Sequence, residues 1–191
     1  MRYLACILAC LWLSACSILQ GPAVIPSRPE RAGIAAFSLE GRLAVRQGER
    51  PANAGIEWEH QPGLDRIFLT GPLGQGLAEL EQTPEGARMT TADRKTYTAP
   101  DAATLCLQLL GFELPLNQLP LVVVGQVETR TRDTQGRPDR ALSAGWRVHY
   151  LRYESDDPHA LPSLIELQRD ASGDQEALEL RLKIDQWQIH E

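Results

Sequence analysis

The sequence predicts a mainly β protein: a meander of roughly ten antiparallel strands into which two short apolar helices are inserted. Two observations carry this prediction. From Phe37 onward, most segments alternate apolar and polar residues with a period of two, which is typical of strands with one face in the core. Near the middle of the chain, apolar residues recur at helical spacing instead. A sheet of this size tends to curl, so the helices are expected to cover an apolar cavity on its concave face.

The composition fits one globular domain that is not a general nucleic-acid binder. The chain has 191 residues, of which 43% are hydrophobic and 23% are charged. A chain of this length can bury a core without disulfides. The net charge of -6 argues against binding to nucleic acid, because such proteins normally present a basic face.

The first residues, MRYLACILACLWLSAC, differ from the rest of the chain. Arg2 is the only charge before Cys16, and the apolar run after it is too short for a permanent membrane span. The end of this segment, Leu-Ser-Ala-Cys, resembles the processing box of bacterial lipoproteins. We therefore predict a lipoprotein signal peptide over residues 1–15 and lipidation of Cys16. The alternative is an ordinary secretory signal with a coincidental cysteine.

Residues 16–35 are predicted to form the lipidated N-terminus and a tether, and residues 36–191 the folded domain. The tether is rich in proline, glycine and small residues, which favours a linker. Several acyl chains on Cys16 would give stable anchoring to a membrane. Cys106 then remains as the last free thiol, and we interpret it as a small buried hydrophobe because it lies in an apolar run.

The strands are predicted in order from their alternation and from the turns between them. In the final strand the apolar phase shifts between Ile184 and Trp187, which predicts a bulge or a strong bend. In chain order the predicted strands are FSLEGRLAV, AGIEWEH, DRIFLT, GLAELEQ, two short strands within ARMTTADRKTYTA, GWRVHYLRYE, SLIELQRD and EALELRLKIDQWQI.

Two helical segments interrupt the strands. Asp101 is predicted to be the N-cap of the first helix, an apolar stripe follows it at helical spacing, and Gly111 is placed to end the helix. The next segment, PLNQLPLVVVG, is predicted to be a second short apolar helix or a helix broken at Pro120.

The glycine-rich stretch LTGPLGQGL, from Leu69 to Leu77, is predicted to join two strands. A phosphate-binding loop is excluded because the glycine order is wrong and no Lys-Ser/Thr pair or strong helix follows. Leu73 then lies near the tip of a turn. It either folds back onto the domain or projects outward, where it could insert into a nearby bilayer.

No motif in the sequence indicates an enzyme, a metal site or a cofactor. There is no G-x-S-x-G nucleophile elbow, and the four histidines are far apart and lack the spacing of a zinc site. The sequence therefore favours a binding protein over a catalyst.

Several segments together resemble the LolB family. The resemblance runs in order from about Phe37 to Trp187, in addition to the signal peptide. The matching segments are FSLEGRLAV, WEH, RIFLTGPLGQGLAELE, YTA, ELPLNQLPLVVVG, GWRVHYLRYE and LRLKIDQW.

This resemblance implies an incomplete, unclosed antiparallel β-barrel of roughly ten to eleven strands with a helical lid over an apolar cavity. It further implies a monomeric receptor that accepts acylated lipoproteins from the periplasmic carrier LolA and inserts them into the outer membrane. Ser17 after Cys16 implies anchoring at the periplasmic face of the outer membrane. The membrane-insertion role of the family's protruding loop falls on Pro72, Leu73 and Gly74.

Seven apolar residues on strand faces are the candidates for the acyl-chain cavity, and for each of them the alternative is ordinary core packing. The alternative function is a lipid-anchored envelope module that binds another apolar ligand or has a structural role. The candidate cavity residues are Phe37, Leu39, Leu43, Ile56, Trp58, Leu180 and Ile184.

Overall fold

The structure is a computed structural model that describes residues 28–114, 116–173 and 175–190. The predicted signal peptide, Cys16 and the first part of the tether lie outside the described residues. None of the helices in the described part of the chain is long and apolar enough to cross a membrane.

Eleven antiparallel strands form one sheet that does not close on itself. The predicted fold class, a mainly β, unclosed antiparallel barrel with inserted helices, is confirmed. The edges of the sheet are β6 and β7, and β1 lies beside β11 at its centre, so the spatial order is β6-β5-β4-β3-β2-β1-β11-β10-β9-β8-β7. The strands are β1 (Ala36–Gln47), β2 (Arg50–Gln61), β3 (Leu64–Thr70), β4 (Gly76–Thr83), β5 (Gly86–Thr91), β6 (Thr96–Ala99), β7 (Thr129–Arg132), β8 (Pro138–Ser143), β9 (Trp146–Tyr153), β10 (Pro162–Arg169) and β11 (Leu178–His190).

Two of these strands, β7 and β8, were not predicted individually. The sequence of β7 is TRTR, and that of β8 is PDRALS, so neither shows a clear alternation of apolar and polar residues. β8 pairs with β9, and β7 pairs with β8, so the two strands form by extending the edge of the sheet and not from an apolar pattern of their own.

The predicted bulge in the final strand is confirmed at Asp185. Along β1, Glu40 pairs with Gln186 but Gly41 pairs with Ile184, so Asp185 has no partner on β1. The two backbones approach closely here, because a Cβ added at Gly41 would lie 2.1 Å from the carbonyl oxygen of Lys183. Glycine at this position therefore lets the bulge form at the centre of the sheet.

Two helices cross the concave face, α1 (Ala102–Leu110) and α2 (Leu119–Val124). The predicted ends of α1 are confirmed: the Asp101 carboxylate accepts from the Thr104 N–H at 2.7 Å, and Gly111 follows with φ 79°. The second segment forms a separate short helix, α2. Pro120 lies in its first turn, where a missing N–H costs little, and therefore does not break it.

The direction of α1 follows from two hydrogen bonds. At its start, the Ala102 N–H donates to the Gln82 side chain near the end of β4. At its other end, the Gly111 carbonyl accepts from the Gln47 side chain at the end of β1. We call the end of the sheet with Gln47, the β1–β2 turn and the β3–β4 loop the rim, and the opposite end the base.

The first described residues pack against the base. Arg28 forms a mostly buried ion pair with Glu154, with Nη2 and Oε1 2.6 Å apart. Arg31 donates to the carbonyl oxygens of Pro158 and Ala160 at 2.8 and 2.7 Å. The segment predicted as a tether therefore contacts the sheet from Arg28 onward. All described strands, helices and core residues lie within residues 28–190, so a chain of residues 17–191 keeps them all. We call this chain the soluble domain only because it lacks Cys16, the predicted lipidation site.

The close approach at Gly41 predicts a large stability loss for Gly41→Ala. The added methyl group overlaps a backbone oxygen that only a shift of β11 can move, so we expect a loss of about 1–3 kcal/mol in the free energy of unfolding. The measurement is urea unfolding of the soluble domain. Gly33→Ala is the control, because nothing lies within 4 Å of a Cβ at Gly33. Equal stability of the two variants would contradict this reading of the bulge.

Candidate functional site

An apolar cavity lies between the concave face of the sheet and the two helices. Every one of its lining residues is apolar or a cysteine. On the sheet side they come from seven strands, β1 to β5, β10 and β11, and on the other side from α1, α2 and the connection between the helices. The lining residues are Leu43, Ile56, Trp58, Ile67, Leu69, Ala78, Leu80, Met89, Cys106, Leu110, Leu114, Leu116, Leu119, Val123, Leu167, Leu180 and Leu182.

Four of the seven candidate cavity residues line this cavity: Leu43, Ile56, Trp58 and Leu180. The other three, listed next, lie in the core outside its wall. They are Phe37, Leu39 and Ile184, which are at most 4% exposed.

The core beside the cavity is aromatic. The Phe37 ring lies 5.3 Å from the rings of both Trp58 and Trp187, in edge-to-face orientations. The Trp58 indole N–H donates to the Asp65 carboxylate at 2.8 Å, and Asp65 also pairs with His60. Because its polar N–H is satisfied, Trp58 can present its ring to the cavity without an unpaired donor.

The sequence analysis did not name the other lining residues, and two groups among them differ in the signal that could have identified them. Strands β3 to β5 contribute residues that share the inward phase of their alternation, so that signal was present for Ile67, Leu80 and Met89. The connection between the helices contributes Leu114 and Leu116, which follow no period that would have singled them out.

The cavity has a volume of about 90 Å³. Ordinary ligand pockets have volumes of roughly 300–1,000 Å³. The described conformation is therefore a closed one, and a long apolar ligand would fit only after the helices moved away from the sheet.

The two helices are fastened to the sheet unequally. The Tyr150 hydroxyl donates to the Val122 carbonyl of α2 at 2.8 Å in a buried position, and burial raises the pKa of Tyr150. Gln118, just before α2, accepts from the Ser143 hydroxyl at 2.9 Å. At the rim end of α1, the Gln47 bond to Gly111 is long, at 3.4 Å. The rim end of α1 is thus the more weakly held part of the lid.

The β3–β4 loop holds Leu73 in solvent. The Gly74 N–H donates to the Gly71 carbonyl at 2.9 Å, and the Gly71 N–H donates to the Gln75 carbonyl at 2.8 Å, so the turn is closed by its own backbone. The Leu73 side chain is 92% exposed and does not pack back onto the domain. The flanking strand residues Leu69 and Ala78 line the cavity, so the tip lies beside the rim end of the cavity.

Cys106 lies in the cavity wall and is buried. Burial in apolar surroundings raises the pKa of its thiol from 9.0 to about 11. The thiol is therefore protonated at neutral pH and packs as a small hydrophobe. Within the described ranges, no group of three or more His, Cys, Asp or Glu residues could hold a metal ion.

Comparisons with known proteins point to one family. The family model described as outer membrane lipoprotein LolB matches residues 35–187. The chain is 36% identical over 181 residues to the outer-membrane lipoprotein LolB of Dechloromonas aromatica, covering 90% of this chain and 92% of that protein. It is 36% identical over 194 residues to that of Azoarcus sp. strain BH72, covering 97% of this chain and 94% of that protein.

Among solved structures, the fold is similar to that of a DUF1329 family protein from Desulfovibrio piger. The TM-score is 0.53 at 7% sequence identity, with 83% of this chain and 87% of that chain covered. At such low identity the similarity concerns the fold alone.

The buried position of Cys106 predicts that its thiol reacts slowly. At pH 8 its raised pKa leaves about a hundredfold less thiolate than a thiol of pKa 9.0 would have, since each pKa unit is a factor of ten. We expect the folded soluble domain to react with a polar disulfide reagent at least a hundredfold more slowly than the same domain unfolded in urea. The reaction rate of the folded domain should keep rising between pH 8 and pH 10. A rate that levels off near pH 9 would contradict this environment.

Proposed function

Because the chain belongs to the LolB family of outer-membrane lipoproteins, we propose that it is an outer-membrane receptor that accepts lipoproteins from a LolA-type carrier and inserts them into that membrane. The observation that carries the proposal is the entirely apolar cavity under a helical lid. The family is one of lipoprotein trafficking and not of enzymes, in agreement with a sequence that has no catalytic motif.

Anchoring is proposed to occur at Cys16. Removal of residues 1–15 would leave this cysteine as the N-terminus, with acyl chains holding the protein at the periplasmic face of the outer membrane. The support is the Leu-Ser-Ala-Cys sequence together with relatives that are named outer-membrane lipoproteins. Residues 17–27 would then connect the anchor to the base of the sheet, where Arg28 pairs with Glu154.

The cavity is proposed to hold the acyl chains of the cargo. An apolar wall suits this ligand because burial of each methylene contributes about 0.8 kcal/mol. Handing the chains from one apolar cavity to another conserves that burial, so the transfer needs no nucleotide. It needs only a somewhat higher affinity of the receptor than of the carrier.

Loading is proposed to begin at the rim end of α1. Support comes from the small closed volume and from the weak fastening of that end. Leu107 and Leu110 of α1 are 39% and 44% exposed, so they lose less burial when this end swings outward than the fully buried Leu105 would. The Tyr150 bond meanwhile holds α2 in place, which would make α1 the moving half of the lid.

Delivery is proposed to use Leu73. A leucine that is almost fully exposed in a monomeric domain has no folding role to perform, but it can enter the acyl region of a bilayer. Pro72 and the backbone hydrogen bonds of the turn hold the tip in one conformation. Little conformational entropy is therefore lost on insertion.

The test of the proposal is a handover experiment in solution. The soluble domain is mixed with a LolA-type carrier loaded with an acylated lipoprotein, and the protein with which the cargo co-purifies is identified. We expect the cargo to move to the soluble domain. If it stays on a competent carrier while the domain is folded, the receptor role is wrong, and the cavity serves another apolar ligand.

Filling the cavity should block this handover. Ala78 lines the cavity, and Ala78→Phe places a ring in a space of about 90 Å³, so we expect at least tenfold less cargo on the soluble domain. The overpacking itself should cost about 1–3 kcal/mol of stability, which unfolding curves would measure separately. Ala171→Phe, in the exposed β10–β11 turn, is the control. Normal handover to folded Ala78→Phe would show that the chains bind elsewhere.

Leu73→Glu should separate uptake from delivery. The carboxylate cannot enter the acyl region, so we expect normal folding and handover in solution but at least tenfold less cargo inserted into vesicles. Leu142→Glu makes the same change at an exposed leucine of β8, away from the loop, and should insert cargo normally. If the two variants insert the same amount of cargo, the loop has no special role in delivery.

A further inference from the structure

A groove of about 410 Å³ crosses the outer face of the sheet beside the β3–β4 loop. Pro72 of the loop lies at one end and Leu164 of β10 at the other. Strand pairing places Gly55, Arg42 and Lys183 side by side between these ends. The groove is open partly because residue 55 has no side chain: a Cβ there would lie 2.3 Å from the Thr70 hydroxyl.

All the charged side chains that line the groove are cations. They are Arg42, Arg181 and Lys183, and these side chains are 65%, 55% and 41% exposed. A groove with three cations in its wall and an amide, that of Asn53, among its lining residues is suited to an anionic group.

Carboxylates partly neutralise these cations from outside the groove. Arg42 and Lys183 share the single carboxylate of Asp185. Arg181 pairs with Glu166 at 2.6 Å and with Glu179 at 3.3 Å, and Glu179 also pairs with Arg46. Because two cations share Asp185, positive charge remains in excess there, and ion pairs this exposed are weak enough to exchange partners.

The apolar residues beside the groove indicate which anion it meets. Leu73 is the neighbour of Pro72 and projects into solvent. Where the same loop joins β3 and β4, Phe68 and Leu77 are 39% and 38% exposed. An apolar tip beside cations is the arrangement of proteins that lie at a membrane interface, where the tip enters the acyl region and the cations contact phosphates.

We propose that this groove binds the phosphate of a membrane phospholipid headgroup while Leu73 enters the acyl region beside it. Arg42 and Lys183 contact the phosphate, and Pro72, at the end of the groove next to Leu73, covers the glycerol end of the lipid. The loop and the groove then act as one membrane-contacting surface on the outside of the sheet. The inference rests on the proposed function only in taking a bilayer as the target; it requires neither cargo nor carrier.

The test is flotation of the soluble domain with vesicles of phosphatidylcholine alone or with about one third phosphatidylglycerol. We expect binding to rise with phosphatidylglycerol and to fall with salt. A basic residue near an anionic surface contributes about fivefold, the equivalent of ~1 kcal/mol. The double variant Arg42→Gln/Lys183→Gln should therefore bind roughly 25-fold more weakly. Circular dichroism confirms that it is folded.

The matched control is Arg66→Gln/Arg88→Gln, which removes the same charge from the outer face of β3 and β5. It should bind within about twofold of the unchanged domain. If both double variants lose binding equally, general charge explains the attraction, and the groove proposal is wrong. It is also wrong if neither variant loses binding.

The handover experiment separates this proposal from the receptor proposal. It contains no vesicles, and the flotation experiment contains no cargo or carrier. Normal handover to Arg42→Gln/Lys183→Gln, together with lost vesicle binding, supports the groove as a lipid site. Lost handover with normal vesicle binding would instead make the groove a carrier contact and would overturn the proposal.

Discussion

The structure depends on one constraint: the concave face of an unclosed eleven-stranded sheet must be kept from water. A closed barrel of this size would cover its interior by itself, but here β6 and β7 remain edges. The two helices supply the missing cover, and their buried residues join the sheet residues in one apolar core. The cavity is the part of this interface that the helices cover without filling. A binding site for apolar chains thus arises because the helices that bury the concave face leave a space beneath them.

The same alternation that builds the core separates the functions of the two faces. Inward residues of β1 and β11, such as Leu43 and Leu180, reach the cavity, while outward neighbours such as Arg42 and Arg181 reach the groove. The β3–β4 loop stands where these surfaces meet, because its flanking strands line the cavity and Pro72 lines the groove. Cargo binding and membrane contact can therefore lie close together on opposite faces of the same strands, one apolar and the other charged.

Much of the fold could be predicted from the sequence, because strongly alternating strands and capped helices are local features. The Asp101 cap, the Gly111 end of α1 and the bulge before Trp187 are examples. The strands β7 and β8 were harder to predict. Neither has a clear apolar pattern, and a polar strand such as TRTR forms only because it pairs with its neighbour. The cavity was only partly predictable. Alternation gives the face of a residue but not its position under the lid. Leu39 and Leu43 share a face of β1, yet only Leu43 lines the cavity.

The central claim, that acyl chains occupy the space between lid and sheet, is tested most directly by fluorescence quenching. The soluble domain is prepared with Trp58 as its only tryptophan, by Trp146→Phe and Trp187→Phe, and receives a lipoprotein whose acyl chains carry bromine. Trp58 lines the cavity, so its emission should be strongly quenched. A second form that keeps only Trp187, which lies outside the cavity wall, should be quenched much less. Unquenched Trp58 in a loaded complex would mean that the acyl chains bind elsewhere and that the cavity is not their site.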